Sequence, residues 1–174
     1  FNIEGYPSNK FVNKVLEIKP DQVTLEPDPP GALTSSFGWN CNENKDFLKE
    51  VISKFRASNI RVSIFVNPSI ETLDNLEEIK TDRVELYTYD FAHYFDHNKT
   101  KSIEPYVEVV NYLNKKFPTV ELNAGHDLNL KNLEFFLEKI ANIEEVSIGH
   151  ALICDTFEFG LKETIKKYLS LTQS

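Results

Sequence analysis

The chain has no methionine, one tryptophan and two cysteines among its 174 residues. Cys41 and Cys154 lie far apart with no CxxC pair, so neither a zinc ribbon nor a disulfide-built scaffold is expected. No apolar run approaches the ~20 residues of a membrane span, and no basic-then-apolar segment opens the chain as a secretory leader would. Basic residues are in the minority, 19 Lys and Arg against 27 Asp and Glu, for a formal net charge of −8. With an isoelectric point near 5.1, that balance argues against nucleic acid as the main partner. The reading is one soluble domain in a reducing, cytosolic setting, with neither nucleic acid nor membrane as partner.

What the chain does have is core-forming material. It is 41% hydrophobic and 12% aromatic, with 13 Phe and 7 Tyr, which excludes a disordered segment. A chain of this length buries roughly two thirds of its unfolded surface. Short β-branched runs fall at Phe1–Tyr6, Gln22–Pro27, Arg61–Asn67, Arg83–Tyr89, Thr119–Gly125 and Glu145–Leu152. Helix-period stripes separate them, among them Leu48, Val51, Ile52 and Phe55, then Tyr106, Val110, Leu113 and Phe117, then Leu133, Phe136, Leu137 and Ile140. Asn67-Pro68 and Pro118 punctuate the elements, and Asn129 stands where a helix cap is expected.

Six βα units in a row predict an α/β fold with a parallel sheet and helices outside it. An open, doubly wound sheet would usually carry a Gly-rich turn after its first strand, and Tyr6-Pro7-Ser8-Asn9 has none. A (β/α)₈ TIM barrel takes eight units over ~250 residues, so six units here are proportionate to a barrel lacking two. Because the chain opens on a strand at Phe1, the expectation is that residues 1–174 form one TIM-barrel domain. It would run from the third strand onward, with the first two βα units upstream. The longer connections, Asp28–Asn44 and Asp90–Ser102, follow strands and would lie on the C-terminal face, where barrel active sites are built.

Two Gly-His dipeptides stand out, in Leu122-Asn123-Ala124-Gly125-His126 and in Ser147-Ile148-Gly149-His150. Glycine at a strand end lets the backbone approach a ligand and present its N–H groups. The last two loops of a barrel commonly form a phosphate site with a short extra helix, which Ala151–Phe157 would supply before a break at Gly160. Imidazoles there suit hydrogen bonding to phosphate or proton transfer near neutral pH, although capping histidines would look the same. Glu4, near a strand end, suits general acid/base work if it points into the barrel mouth, but Glu26 and Glu85 compete for that role. His93 and His97 have the i, i+4 spacing of a metal pair, without an HExxH glutamate, and are read mainly as part of a solvated lid. Thr34 alone reads as a turn hydroxyl, and Cys154 sits in an apolar run. The acidic pairs Glu77-Glu78 and Glu144-Glu145 read as solvated.

Taken together, these residues resemble the pyridoxine 5′-phosphate synthase family of bacterial vitamin B6 biosynthesis. The likeness is strongest at Asn123-Ala124-Gly125-His126 and at Ile148-Gly149-His150-Ala151 followed by Gly160-Leu161-Lys162. Asn2-Ile3-Glu4 is similar to the family's third strand, and Leu25-Glu26-Pro27 with Thr34 to its fourth strand and loop. The resemblance implies a cytoplasmic, octameric transferase that needs neither metal nor organic cofactor. It would condense 3-amino-2-oxopropyl phosphate with 1-deoxy-D-xylulose 5-phosphate, releasing pyridoxine 5′-phosphate, phosphate and water. It implies Glu4 as an acid/base glutamate and His126 as a proton donor. It further implies that Thr34 contacts the deoxyxylulose phosphate, and that Asp127, Gly149 and His150 contact the aminooxopropyl phosphate. Position 127 is expected to be glycine in many members, and a carboxylate beside a phosphate repels it unless it points away. A metal-dependent barrel hydrolase using His93 and His97, and a non-catalytic phosphosugar-binding barrel, are the alternatives.

Overall fold

A computed structural model describes residues 1–29, 31, 32 and 34–172. Strands β1 (Asn2–Gly5), β2 (Gln22–Leu25), β3 (Arg61–Val66), β4 (Arg83–Tyr87), β5 (Glu121–Gly125) and β6 (Ile143–Ser147) form one six-stranded sheet in sequence order. Every neighbouring pair is parallel. Between them run α1 (Asn9–Ile18), α2 (Lys45–Arg56), α3 (Leu76–Ile79), α4 (Tyr89–Tyr94), α5 (Lys99–Lys116) and α6 (Leu133–Lys139). A 3₁₀ turn, Ile70–Thr72, precedes α3, and α7 (His150–Phe159) and α8 (Leu161–Thr172) follow β6. No helix among the described residues is long and apolar enough to cross a membrane.

The expected helix stripes are the buried ones. Leu48, Val51, Ile52 and Phe55 put the apolar face of α2 against the sheet, and Tyr106, Val110 and Leu113 do so for α5. Ser8 caps α1 by accepting from the Phe11 N–H, and Asn98 caps α5 by accepting from Lys101. Strand residues facing the helices are apolar: Val23, Leu25, Val62, Ile64, Val84, Leu86, Leu122 and Ala124 belong to one core.

The opposite face of the sheet is polar and curls on itself. Gln22 of β2 donates to the Glu145 carboxylate of β6 at 2.9 Å, although β3, β4 and β5 lie between those strands in the sheet. Only a sheet rolled towards a barrel brings them together. Arg83 is the hub of this interior, only 6% exposed at its side chain, with Glu121 at 2.6 Å and Glu145 against its second nitrogen. Arg61 also pairs with Glu145, at 3.0 Å, and donates to Gln22 at 2.8 Å. Most TIM-barrel interiors are filled by branched apolar side chains; this one is filled by hydrogen-bonded polar groups.

Three expectations from sequence need correction. The last strand is Ile143–Ser147 rather than Glu145–Leu152, because Gly149-His150 opens α7 and carries Leu152 into a helix. The segment read as a solvated lid, around His93 and His97, is largely α4, anchored by buried Phe91 and Phe95 in the core. The acidic pair Glu144-Glu145 is not solvated as a unit. The register between β5 and β6 shifts, Leu122 pairing with Ile143 and Asn123 with Glu145. Glu144 is thereby left exposed while Glu145 turns inward to the arginines.

Removing the interior cation leaves carboxylates facing one another with less compensation. Glu121 and Glu145 remain about half exposed, at 50% and 40%, so the penalty falls below that of a fully buried pair. Arg83→Met is expected to lower the unfolding free energy by about 2 kcal/mol. Urea denaturation of the two proteins measures this, and an unchanged midpoint would show that the cluster contributes nothing to stability.

Candidate active site

The C-terminal ends of the strands open onto a cavity of about 700 Å³. Its walls include Glu4, Glu26, Thr34, Glu85, His126 and the Gly149-His150 pair. The strand alternation explains the convergence: Glu4, Glu85 and Ser147 occupy inward positions on β1, β4 and β6, and His126 follows β5 directly. Each predicted site residue, Glu4, Thr34, His126, Asp127, Gly149 and His150, lines this one cavity.

Thr34 lies more than ninety residues from His126 in sequence, yet its hydroxyl is 3.1 Å from the imidazole Nε2. The loop carrying Thr34 is tied down nearby. Asp28 accepts from the Ser36 N–H and hydroxyl at 3.1 and 2.7 Å, and Tyr87 donates to the Ser35 carbonyl at 3.3 Å. The His126 ring meets Tyr87 edge-on, with centroids 4.8 Å apart. Burial pushes the Tyr87 phenol up to about 12, so it stays a neutral donor.

Asp127, the departure expected to disturb an anion, turns its carboxylate towards the histidine. Its Oδ2 is 3.2 Å from His126 Nδ1. The approach is electrostatic rather than a directed hydrogen bond, since Nδ1 is buried and no described residue accepts a hydrogen bond from it. Both residues have positive φ, 93° and 57°, a conformation that non-glycine residues seldom adopt. The carbonyl of Asp127 accepts from Asn129 and Asn132 side chains at 3.3 and 3.2 Å.

Three carboxyls crowd the mouth, and each is held above its ordinary range. Burial raises Glu4, with Glu145 adding to the effect, while the Ser147 hydroxyl, donating at 3.5 Å, and the Asn2 amide, donating at 2.9 Å, support its charged form. Burial and then the charge of Glu4 raise Glu26. Glu85 is the extreme case, raised to about 8 by burial and by the neighbouring Glu4. Its Oε2 has no hydrogen-bond partner among the described residues. Gly125 makes room for it: a Cβ there would lie 2.2 Å from Glu85 Oε1. The glycine of this dipeptide thus accommodates a buried carboxyl, whereas a Cβ on Gly149 would meet nothing within 4 Å. Sequence reasoning left Glu85 level with Glu4 and Glu26 and passed over Tyr87. The alternation Arg83-Val84-Glu85-Leu86-Tyr87, which sets Arg83, Glu85 and Tyr87 on one face, was the available signal.

His93 stacks on Tyr89 at 5.6 Å. No group of three or more His, Cys, Asp or Glu side chains arranged for a metal ion occurs among the described residues. Cys154, though it sits in an apolar run of the sequence, is exposed on α7, while Cys41 is buried.

The fold and mouth define a class: a parallel βα barrel that gathers a histidine and three carboxyls of raised pKa at the C-terminal ends of its strands. The alpha subunit of tryptophan synthase from Pyrococcus furiosus, itself a TIM barrel, matches this fold with a TM-score of 0.60. That match covers 99% of this chain and 66% of the other, at 17% identity. The chain belongs to the pyridoxal phosphate biosynthesis protein PdxJ family, which it matches over residues 1–174. Pyridoxine 5′-phosphate synthase of Parabacteroides distasonis is 48% identical over all of this chain and 72% of its own length. The synthase of Flavobacterium johnsoniae is 47% identical over 97% of this chain and 70% of its own length.

The raised Glu85 makes stability depend on pH. The folded state holds this proton more tightly than the unfolded chain, whose carboxyl titrates near 4.5. The resulting stabilisation is complete below that value and is lost as pH rises through about 8. Urea unfolding is therefore expected to show stability falling from pH 5 to pH 8, and Glu85→Gln to flatten the decline. Equal slopes for both proteins would mean that Glu85 is ionised in the fold.

Proposed function

We propose that this chain carries the acid/base centre of a pyridoxine 5′-phosphate synthase. The reaction condenses 3-amino-2-oxopropyl phosphate with 1-deoxy-D-xylulose 5-phosphate to pyridoxine 5′-phosphate, phosphate and water. The observation that carries the reading is the meeting of raised carboxyls with a threonine-bound histidine in one cavity, in a chain that belongs to this family. Joining an amino ketone to a deoxypentulose phosphate requires imine formation, loss of water and phosphate, and several proton transfers. Carboxyls whose pKa values are lifted towards neutrality suit both giving and taking those protons.

In this reading Glu4 exchanges protons with the condensing carbons, and Glu85 below it is the proton reserve on which its charge depends. His126 presents Nε2, beside the Thr34 hydroxyl, to a departing oxygen. Thr34 contacts the deoxyxylulose phosphate substrate. Gly149 and His150 open α7, whose first N–H groups have no side-chain cap, and they receive the phosphate of the amino ketone. Asp127 serves that phosphate through its backbone N–H while its carboxylate stays on the histidine. Raised carboxyl pKa values also relieve the conflict between an acidic mouth and two phosphorylated substrates, because a protonated carboxyl does not repel them.

We further propose that the barrel is completed by two βα units outside this chain, which would bring the family's other catalytic histidine and additional substrate contacts. In support, among the described residues β1 and β6 each pair with a strand on one side only. The resemblance to the family also supports a cytoplasmic homo-octamer working without metal or organic cofactor.

The test is formation of pyridoxine 5′-phosphate by the purified full-length protein given both substrates. Glu4→Gln and His126→Asn are each expected to lower kcat by at least about a hundredfold while leaving the circular dichroism spectrum unchanged. Near-normal product formation by either variant removes that residue from the mechanism. Binding of both substrates by wild type without turnover would favour the phosphosugar-binding alternative.

A further inference from the structure

Thr88 follows β4 directly and stands at the N-cap of α4, where a threonine hydroxyl ordinarily accepts an N–H from the first turn of its own helix. Here it makes no such bond. The residue is fully buried, and its hydroxyl points across to the end of β5 instead, 2.8 Å from the Gly125 carbonyl and 2.5 Å from the His126 carbonyl. Its backbone N–H also donates to Gly125, at 2.9 Å. A threonine that gives up its local role for a longer-range one marks a site where something other than helix stability decides the geometry.

The geometry is that of the His126-Asp127 turn, where consecutive non-glycine residues hold positive φ. Such a turn persists only when its surroundings fix it. Asn132, itself buried, grips the far side through the Asp127 carbonyl. On the near side, the Thr88 hydroxyl is the donor to the His126 carbonyl. With the turn so held, the ring lies edge-on to Tyr87, Nε2 reaches Thr34 and Nδ1 faces the Asp127 carboxylate.

We infer that Thr88 is a positioning residue for His126: its hydroxyl clamps the strained turn and so fixes which way the imidazole presents Nε2 to the cavity. This rests on the reading of His126 as the proton donor. Thr88 does not line the cavity, but the His126 carbonyl it holds shares a peptide unit with the Asp127 N–H, so its effect should fall on turnover and on binding of the amino ketone phosphate, not on binding of the deoxyxylulose phosphate.

The experiment compares Thr88→Val, which keeps the branched shape but loses the donor, with Thr88→Ser, which keeps the donor, in the full-length protein. The valine variant is expected to lower kcat at least about tenfold, with the KM for the deoxyxylulose phosphate changed less than about twofold and any rise in KM confined to the amino ketone phosphate. It should also move the ¹⁵N shifts of the His126 ring, which report where the ring proton sits. The serine variant should match wild type in both readouts. If the valine variant does not fold, Thr88→Ala replaces it under the same criteria. The inference is overturned if the donor-less variant keeps its kcat, if its His126 ring shifts stay at wild-type positions, or if serine loses as much as valine. Absence of turnover in wild type would instead sink the proposed reaction, and the ring shifts, which need no turnover, would still decide the role of Thr88.

Discussion

The organisation of this barrel follows from one constraint, that charged groups taken inside must be compensated there. Alternation along β4 points Arg83, Glu85 and Tyr87 inward, one above another. At the lower level Arg83 finds Glu121, Glu145, Gln22 and Asn123, and the sheet must curl to bring β2 and β6 within its reach. At the upper level Glu85 has no cation beside it among the described residues, and burial with the charge of Glu4 favours its protonated form. The same strand thus builds a stable floor from a paired charge and a reactive mouth from an unpaired one.

That division explains why the mouth can be acidic without being merely repulsive. Glu4 raises the proton affinity of Glu26 and of Glu85, and Glu26 adds to that of Glu85, so the cluster behaves as a shared proton store rather than as fixed negative charges. His126 stands at the edge of the store and is bound by different means: an aromatic edge, a threonine hydroxyl and a clamped backbone. Acid/base groups with separate environments can differ in protonation at one pH, as a sequence of proton donations and withdrawals demands.

The fold was legible in the sequence because its two periodicities are uninterrupted. Stripes such as Leu48, Val51, Ile52 and Phe55 cannot be read as strands, Arg83–Tyr87 alternates too strictly for a helix, and Arg61–Val66 is too short an apolar run to be one. The resemblance alone brought Thr34 and His126 into one site, and their direct contact was not legible, since no local pattern links a turn hydroxyl with a strand end so far along the chain. Glu145 was misread for a definite reason. A register shift of one residue decides which of two adjacent glutamates faces inward, and nothing in Ile143-Glu144-Glu145-Val146 announces a bulge.

Gly125 shows how a correct choice of residue can rest on an incomplete physical reason. A glycine before a histidine at a strand end suggested close approach of the backbone to a ligand. The neighbour that a side chain there would meet is Glu85, one strand away, whose Oε1 lies 2.2 Å from the position of a Cβ, so the carboxyl would have to shift. The requirement is therefore reciprocal, since a buried carboxyl on β4 needs a vacancy on β5, and that vacancy ends where His126 begins its strained turn. Glycine, glutamate and histidine are in this sense one arrangement, and a change at any of them alters the proton affinity or the aim of the others.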